Sequence, residues 1–509
     1  MKYLLGIDFG GGASKATLID TNGNIITDNT VEYPTLYPEI GACEQNPEDW
    51  INALCRNSKS LIEKSGIESA DILAVALDSA THTSLVCDGE FKPLRNAIHW
   101  TDTRSKAQAD KLRQKYGDEI FEKSFHKPDT IWTLPQLIWL RENEPETFGE
   151  IKYIFFEKDY VRYFLTDVFC TDYIEAEGSM LFDCNKMQWD EKLCALAGIT
   201  ANMLPPIVKP TDVIGKVTKA AANATGLKEG TPVICGTTDT VMEVFASGAV
   251  KKGQITLKLA TAGRICVITD KTYPDINLIN YSHFVDGLYY PGTATKSCAA
   301  SYRWFRDTFG DDYKALDKLA ESVAIGADGM VFHPYLNGEL TPYANPNLCA
   351  DFVGVRACHT KAHFTRAVLE GVAMSMLDCK STLDDMNIIH DDSAVIIGGG
   401  GKSPLWRQIV SDVMGIELIE MKYADSSYGS ALLAGVSVGI FKDYESAVNQ
   451  SNKIISKTTP CVENTKNYRK LFTRYKQIQK ALEPIYNNQG GNYESISMCK
   501  DNKRGAESV

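Results

Sequence analysis

The sequence predicts an α/β fold of two similar domains facing each other across a cleft, and three observations carry that reading. A chain of 509 residues is too long for one core and suggests two or three domains. Residues 2–20, "KYLLGIDFGGGASKATLID", read as a strand, a small-residue turn and a second strand. Residues 251–270, "KKGQITLKLATAGRICVITD", repeat that design. Two such units predict a duplicated architecture whose turns meet across one cleft, with chance recurrence as the alternative.

In the opening unit an apolar strand ends in Asp8 and runs into Gly10, Gly11 and Gly12. Glycine in a strand-to-strand turn costs backbone entropy and supplies no packing. Two readings are open: a tight hairpin that needs positive φ, or a ligand that leaves no room for a Cβ. An Asn22-Gly23 hairpin signal and another strand, "NIITD", follow. "EDWINALCRNSKSLIEKSG" has helical spacing and a glycine stop. "ILAVALDSATHTSLVCDGEFKPL" gives a buried strand, a polar break, a second strand and a turn at Asp88-Gly89. Helical stretches then run to about Leu165.

Farther along, residues 235–250, "CGTTDTVMEVFASGAV", place a polar Gly-Thr-Thr-Asp loop directly before a helix. The second small-residue turn is Ala260, Thr261, Ala262 and Gly263. "SAVIIGGGGKSPLWRQIVSDVMG" sends a strand into four glycines and then a helix with Leu405, Ile409, Val410 and Val413 as its apolar stripe. Such a junction offers free backbone N–H groups and a positive helix end to an anion. It is not a Walker A loop, because Ile396 stands where that motif needs its first glycine. The dinucleotide pattern GxGxxG also fails here, and at Gly10, where Lys15 takes the place of the last glycine. Residues 486–509 are polar and read as a flexible tail.

The composition, 44% hydrophobic and 23% charged with a net charge of −12, is that of a soluble globular protein. This balance argues against nucleic acid or an anionic membrane as partner, while a local site can still oppose the global charge. Fourteen cysteines without a CxxC pair signal neither zinc nor a disulfide framework. They are expected as buried reduced thiols in a cytoplasmic protein. Asp8 interrupts the first apolar run, so no signal peptide is expected, and no apolar run is long enough for a membrane span.

Phosphoryl transfer needs a cradle for polyphosphate, a divalent cation, an in-line acceptor and a base beside that acceptor. The three glycine-containing turns are candidates for the cradle. Asp8, at the carboxyl end of its strand, is placed to hold hydrated Mg²⁺, with turn capping as the structural alternative. Asp239 stands near the positive end of a helix, which suits a base that accepts a hydroxyl proton as charge develops. An N-cap is its alternative. His82 in "DSATHTSL" is expected at a sheet edge facing a cavity. "HWTDTR", His99 to Arg104, groups Trp100, Asp102 and Arg104, which suit a polyol; a salt bridge explains Asp102 and Arg104 equally well. No acidic partner completes a metal site with His359 and His363, which read as structural.

Over residues 1 to about 485 the chain resembles the FGGY carbohydrate kinases, members of the actin-like, ribonuclease H-like ATPase superfamily. "ADFVGVRACHTKAHFTRAVLEG", Ala350 to Gly371, fits the family's second signature, and "IWTLPQLIWLREN" approximates the first, with Gln136 where a lysine is usual. "PYLNGELTPYANP" and "YGSALLAG" resemble further family blocks. "EQNPEDW", "HWTDTR" and "IGGGGKSPLWRQ" are similar to the xylulokinase branch.

The resemblance implies two actin-like (ribonuclease H-like) domains around a central cleft. It divides the chain into residues 1–246 for the sugar and base and 247–485 for ATP. It implies ATP-dependent phosphorylation of a sugar or polyol hydroxyl, a ketopentose such as D-xylulose, with ATP and Mg²⁺ as cofactors. Asp239 is the implied base, also touching the sugar, and Asp8 the implied metal-positioning acid. Thr81, His82, Asp102 and Thr240 are implied on the sugar. Gly10, Gly11, Gly12, Lys15, Thr261, Gly263, Gly400, Gly401 and Ser403 are implied on the nucleotide. Expected partners are sugar and ATP, with neither nucleic acid nor membrane, and a homodimer is the candidate assembly. Family members usually carry Gly-Thr-Ser or Gly-Thr-Thr at positions 10–12 and "LGTSG" where this chain has "LATAG". Thr81 and Thr240 replace the methionine and asparagine of xylulokinases. These departures bear on the sugar more than on the reaction. The alternatives are a ribulose-, glycerol- or erythritol-type kinase, a non-catalytic sugar- or nucleotide-binding regulator, and an actin-like chaperone or filament ATPase.

Overall fold

The computed structural model describes residues 1–488; the part of the expected tail from 489 onward lies outside the described residues. Two six-stranded sheets share one design. In the first, β1 (Tyr3–Phe9), β2 (Ala13–Asp20) and β3 (Ile25–Glu32) form an antiparallel ribbon. β4 (Ile72–Ser79) lies parallel to β1. The edge strand β5 (Val213–Lys216) runs antiparallel to β6 (Pro232–Thr238), which lies parallel to β4.

The second sheet repeats these relations. β7 (Ile255–Leu259), β8 (Gly263–Val267) and β9 (Gly292–Thr295) form the antiparallel ribbon. β10 (Ser393–Ile397) and β11 (Glu417–Met421) add in parallel, and β12 (Ile454–Thr458) closes the edge antiparallel. The expected duplication is therefore present strand by strand. The two glycine-region turns, between β1 and β2 and between β7 and β8, occupy equivalent places.

Local signals account for the elements that frame the site. β1 is buried along most of its length because β2 and β4 pair on its edges and helices cover its faces. α1 (Pro47–Ser65) starts where the Asn46 side chain accepts the Glu48 N–H and stops at Gly66, whose φ of 65° is left-handed. α2 (Asp239–Ala246) follows β6 without a loop, which corrects the expected polar Gly-Thr-Thr loop. Those residues end the strand instead, with a register shift after Ile234 and Gly236 at φ 74°. A Cβ at Gly236 would lie 1.7 Å from the Leu77 carbonyl oxygen, so only glycine fits this bulge. The expected helical run to Leu165 is also interrupted, by a short strand, Tyr153–Phe156, paired with Ser84–Cys87.

α3 (Lys361–Asp385) and α4 (Pro404–Met414) pack in the second half's core. α5 (Ser426–Ser437), late in the chain, instead shares a core with β1, β4, β6 and α2. Two glycines allow it. A Cβ at Gly6 would lie 1.9 Å from the Ser427 carbonyl oxygen, and one at Gly429 would lie 2.2 Å from that of Met242. Side chains then pin the contact: Thr17 Oγ1 to Ser427 Oγ at 2.7 Å, and the Tyr428 hydroxyl to the Gly23 carbonyl at 2.9 Å. The halves thus meet over a packed helix at the base of the cleft. α6 (Val462–Asn488) runs three residues beyond the expected boundary at 485.

Candidate active site

Strand register places the first acids. Asp8 on β1 lies beside Asp78 on β4, at the carboxyl ends of two parallel strands. Asp78 is buried and accepts a hydrogen bond from Ser430 of α5. Asp8 Oδ1 and Asp78 Oδ1 are buried and have no hydrogen-bond partner among the described residues. Burial, opposed in part by a hydrogen bond to Asp78 and reinforced by Asp239, Asp425 and Glu243, pushes the Asp8 carboxyl up to about 7. Burial, with Asp8 beside it, pushes Asp78 well above its usual range. Glu157, facing the same acids, is likewise raised. Such orphaned oxygens in a like-charged cluster fit a hard divalent cation. Among the described residues no three side chains are arranged as direct metal ligands. A cation here would therefore be held largely through water or a ligand's oxygens.

Asp239 is the first residue of α2, with Thr238 as N-cap, so it is not the helix cap itself. Its Oδ1 accepts the Thr240 N–H at 2.5 Å and the Thr240 hydroxyl at 3.1 Å. One turn on, Glu243 is ion-paired with Lys258 of β7. The paired Lys258 and the acids of β1 and β4 thus bracket Asp239 from the two sheets.

The turn after β1 answers the question of its glycines. None of Gly10, Gly11 and Gly12 has a positive φ. A Cβ at Gly12 would meet nothing within 4 Å. A Cβ at Gly11 would touch only the His99 ring, 3.4 Å away. Neither hairpin strain nor packing demands glycine here, and the space beside the turn is open. The turn is held from below, where the Tyr33 hydroxyl donates to the Gly10 carbonyl and Thr35 to that of Gly11. Lys15, opposite Asp8 in register, bridges to Asp425 at 2.9 Å.

A second group gathers around His82, a residue with φ 55° and therefore strained backbone. Its N–H donates to Glu175 at 2.6 Å, and its Nε2 lies 3.3 Å from the Tyr281 hydroxyl. Burial lowers the ring's pKa to about 3, so it is neutral, and its Nδ1 is unpaired. Trp132 packs on both His82 and His126. A Cβ at Gly178 would come within 2.6 Å of both Thr81 and His82, so that glycine lets the strained turn seat. Gly178, His126, Trp132 and Tyr281 were not among the expected residues. They come from separate stretches of chain that no local spacing connects.

Asp102 is placed differently. It is buried, and its carboxylate accepts the Cys43 N–H at 2.8 Å and the Arg104 Nε at 2.9 Å. Arg104 also pairs with Glu44. The structure therefore favours the salt-bridge reading of "HWTDTR": Asp102 shapes the loop that carries His99 to Gly11.

In the second half a cavity of about 610 Å³ is lined by Thr261, Tyr302, Asp317, Gly400, Ser403 and Trp406, among others. Ser403 caps α4 by accepting the Trp406 N–H and donates to Asp317 at 2.6 Å. Gly400 lines the cavity. Gly401 and Gly263 lie behind it, where a Cβ would meet Ile396 at 3.1 Å and Met376 at 2.5 Å respectively. These two serve packing that brings the backbone close to the cavity.

Comparison with known proteins agrees with this geometry. The model of the FGGY family of carbohydrate kinases, N-terminal domain, matches residues 3–246, and that of the C-terminal domain matches 233–438. A xylulose kinase of Bacillus subtilis strain 168 is 30% identical over 484 residues, covering 94% of this chain and 97% of that one. A gluconokinase of the same organism is 28% identical over 500 residues, covering 95% and 97%. The crystal structure of ligand-bound xylulose kinase from Lactobacillus acidophilus superposes with a TM-score of 0.90 at 25% identity, covering 96% and 100%. Two actin-like domains around a cleft, matched along nearly their whole length, make this chain a member of the FGGY family of carbohydrate kinases and hence an ATP-dependent sugar kinase.

Proposed function

We propose that the protein transfers the γ-phosphoryl group of ATP to a hydroxyl of a ketopentose such as D-xylulose, with Asp239 as general base. One observation carries the reading: the Asp239 carboxylate is close enough to act electrostatically on the orphaned acids Asp8 and Asp78 and also on Tyr281, which meets the neutral His82 ring. The acceptor lies along His82, Trp132 and Tyr281, which offer aromatic faces, the unpaired His82 Nδ1 and the Tyr281 hydroxyl to a polyhydroxyl chain. Asp239 takes the proton of the attacking hydroxyl, while Thr240 fixes the carboxylate's direction. The open backbone of Gly10–Gly12 and the Ala260–Gly263 turn approach the phosphates from opposite sides of the cleft. Thr261, Gly400 and Ser403 line the nucleotide's cavity. Mg²⁺, when bound, neutralises phosphate charge, and Asp8 with Asp78 are the residues that would hold it through its waters. The xylulose kinase relatives support the ketose. Cytoplasmic residence belongs to the same reading, supported by free cysteines among the described residues.

The test is ADP release across a panel of ketoses, aldoses and polyols. Turnover should be highest with D-xylulose or a close five-carbon relative, and turnover confined to glycerol or hexoses would reject the ketopentose. The glycine turn has its own test. Because a side chain at position 12 meets no protein atom, Gly12→Val should leave the melting temperature close to that of the parent. If phosphate occupies that space, kcat/KM for ATP should fall by about 10²-fold, the scale on which misplaced reacting groups cost rate. Unchanged kinetics would show that the turn is only a connection.

A further inference from the structure

Arg264 is a half-buried cation that pairs with no acid among the described residues. It follows the Ala260–Gly263 turn on β8, opposite Lys258 in register and on the sheet face that looks toward α2. Its Nε and Nη2 are buried and make no hydrogen bond among the described residues. The guanidinium lies 5.2 Å from the ring centre of Tyr290 and 6.0 Å from that of Tyr281, the residue that meets His82. Beside it the Cys266 thiol is a weak acceptor. More deeply buried cations are treated differently: Lys158 pairs with Asp159 and Asp172, Arg162 with Asp159, and Arg366 with Glu370.

Cation–π contact offsets part of the desolvation of a guanidinium but uses none of its five N–H donors. Burying the three N–H of Nε and Nη2 without acceptors is costly, and a planar fork of this kind matches a carboxylate or phosphoryl group in two parallel hydrogen bonds. Acidic side chains are plentiful in this cleft, yet among the described residues none is placed against Arg264. Lys258, its neighbour across the ribbon, is already neutralised by Glu243. No acid among the described residues completes Arg264, which points to an anion that a substrate brings.

We propose that Arg264 is an oxyanion-binding residue of the cleft, taking a carboxylate or phosphoryl group that a substrate brings between Tyr281 and the Ala260–Gly263 turn. The proposal rests on the reading of this cleft as the site where acceptor and phosphate meet. Two substrates can deliver that chemistry: an acceptor with a terminal carboxylate, an aldonate, or ATP through the phosphoryl group in transfer.

Steady-state kinetics of Arg264→Gln and Arg264→Lys distinguish the sources, with D-xylulose and a five-carbon aldonate as acceptors. If the acceptor supplies the anion, the ratio of kcat/KM for aldonate over ketose falls at least about 50-fold in Arg264→Gln, the scale of losing one partner of a desolvated charge pair. If the phosphoryl group supplies it, kcat falls about 10²-fold with every acceptor and that ratio does not move. Parental kcat and KM with both acceptors would overturn the proposal. Should Arg264→Gln not fold, thermal denaturation of the parent and of Arg264→Lys with added aldonate, or with ADP and inorganic phosphate, decides instead. Anion protection present in the parent and weakened in Arg264→Lys supports the site, and no protection in the parent overturns it. If the parent phosphorylates no acceptor, the kinase reading fails, and the same anion titration still judges Arg264.

Discussion

Asp239→Asn should reduce sugar-dependent turnover by about 10²–10⁴-fold, or roughly 3–5 kcal/mol of barrier, while the protein stays folded. The substitution separates proton acceptance from every structural duty the residue has. The amide oxygen can still accept the Thr240 N–H that Asp239 Oδ1 accepts. Thr238, not Asp239, is the N-cap, so α2 keeps its start. Removing one carboxylate from a cleft that already holds Asp8, Asp78 and Glu243 also lowers like-charge repulsion rather than orphaning a partner. The expected result is a loss in kcat, with melting temperature and KM for ATP close to those of the parent. Retained turnover, or a protein that no longer folds, would move the base elsewhere.

How much of this was legible in the sequence depends on how local each signal is. The repeated ribbon was readable because strand, small-residue turn and strand lie within twenty neighbouring positions, and Asp8 sits inside that pattern. Asp78 sits just as plainly at the end of "ILAVALD", but only the parallel register of β1 and β4 sets it beside Asp8. Gly-Thr-Thr reads as a loop by composition. Pairing with β4 makes it strand, and the bulge at Gly236 absorbs the mismatch. Asp102 looked equally suited to a polyol and to Arg104, and tertiary packing decided for Arg104 by burying both. His126, Trp132, Tyr281 and Arg264 were invisible as a group because no periodicity links them; folding two halves against each other does. The helix α5 shows the same limit. Its small residues at 429, 431, 434 and 435 read as a family block, yet Gly429 serves backbone approach to α2, Ala431 lies where Gly6 of β1 comes close, and Gly435 makes room for the Phe441 and Leu4 side chains.

Asp8→Asn should abolish most turnover and at the same time stabilise the empty protein at alkaline pH. In the unfolded chain this carboxyl ionises near 3.8, and in the folded protein burial raises it to about 7. Between those values the folded state holds a proton that the unfolded state has lost. Stability therefore falls as pH rises from about 4 to 7 and gains nothing back above it. At pH 8 the empty cleft carries a desolvated negative charge beside Asp78, and Asp8→Asn removes it. Stability should rise by on the order of 2 kcal/mol at pH 8 and change little near pH 3. Function should move the other way. A divalent cation needs the ionised acid, so thermal protection of the parent by Mg²⁺ should be larger at pH 8 than at pH 6, and weak in Asp8→Asn at both. Turnover should fall by about 10²–10³-fold, the scale of removing a preorganised electrostatic partner. Opposite signs for stability and activity are what a turn cap would not give, since losing a cap costs stability at every pH. An Asp8→Asn protein that is less stable at pH 8, or that keeps Mg²⁺-dependent turnover, would return Asp8 to a purely structural role.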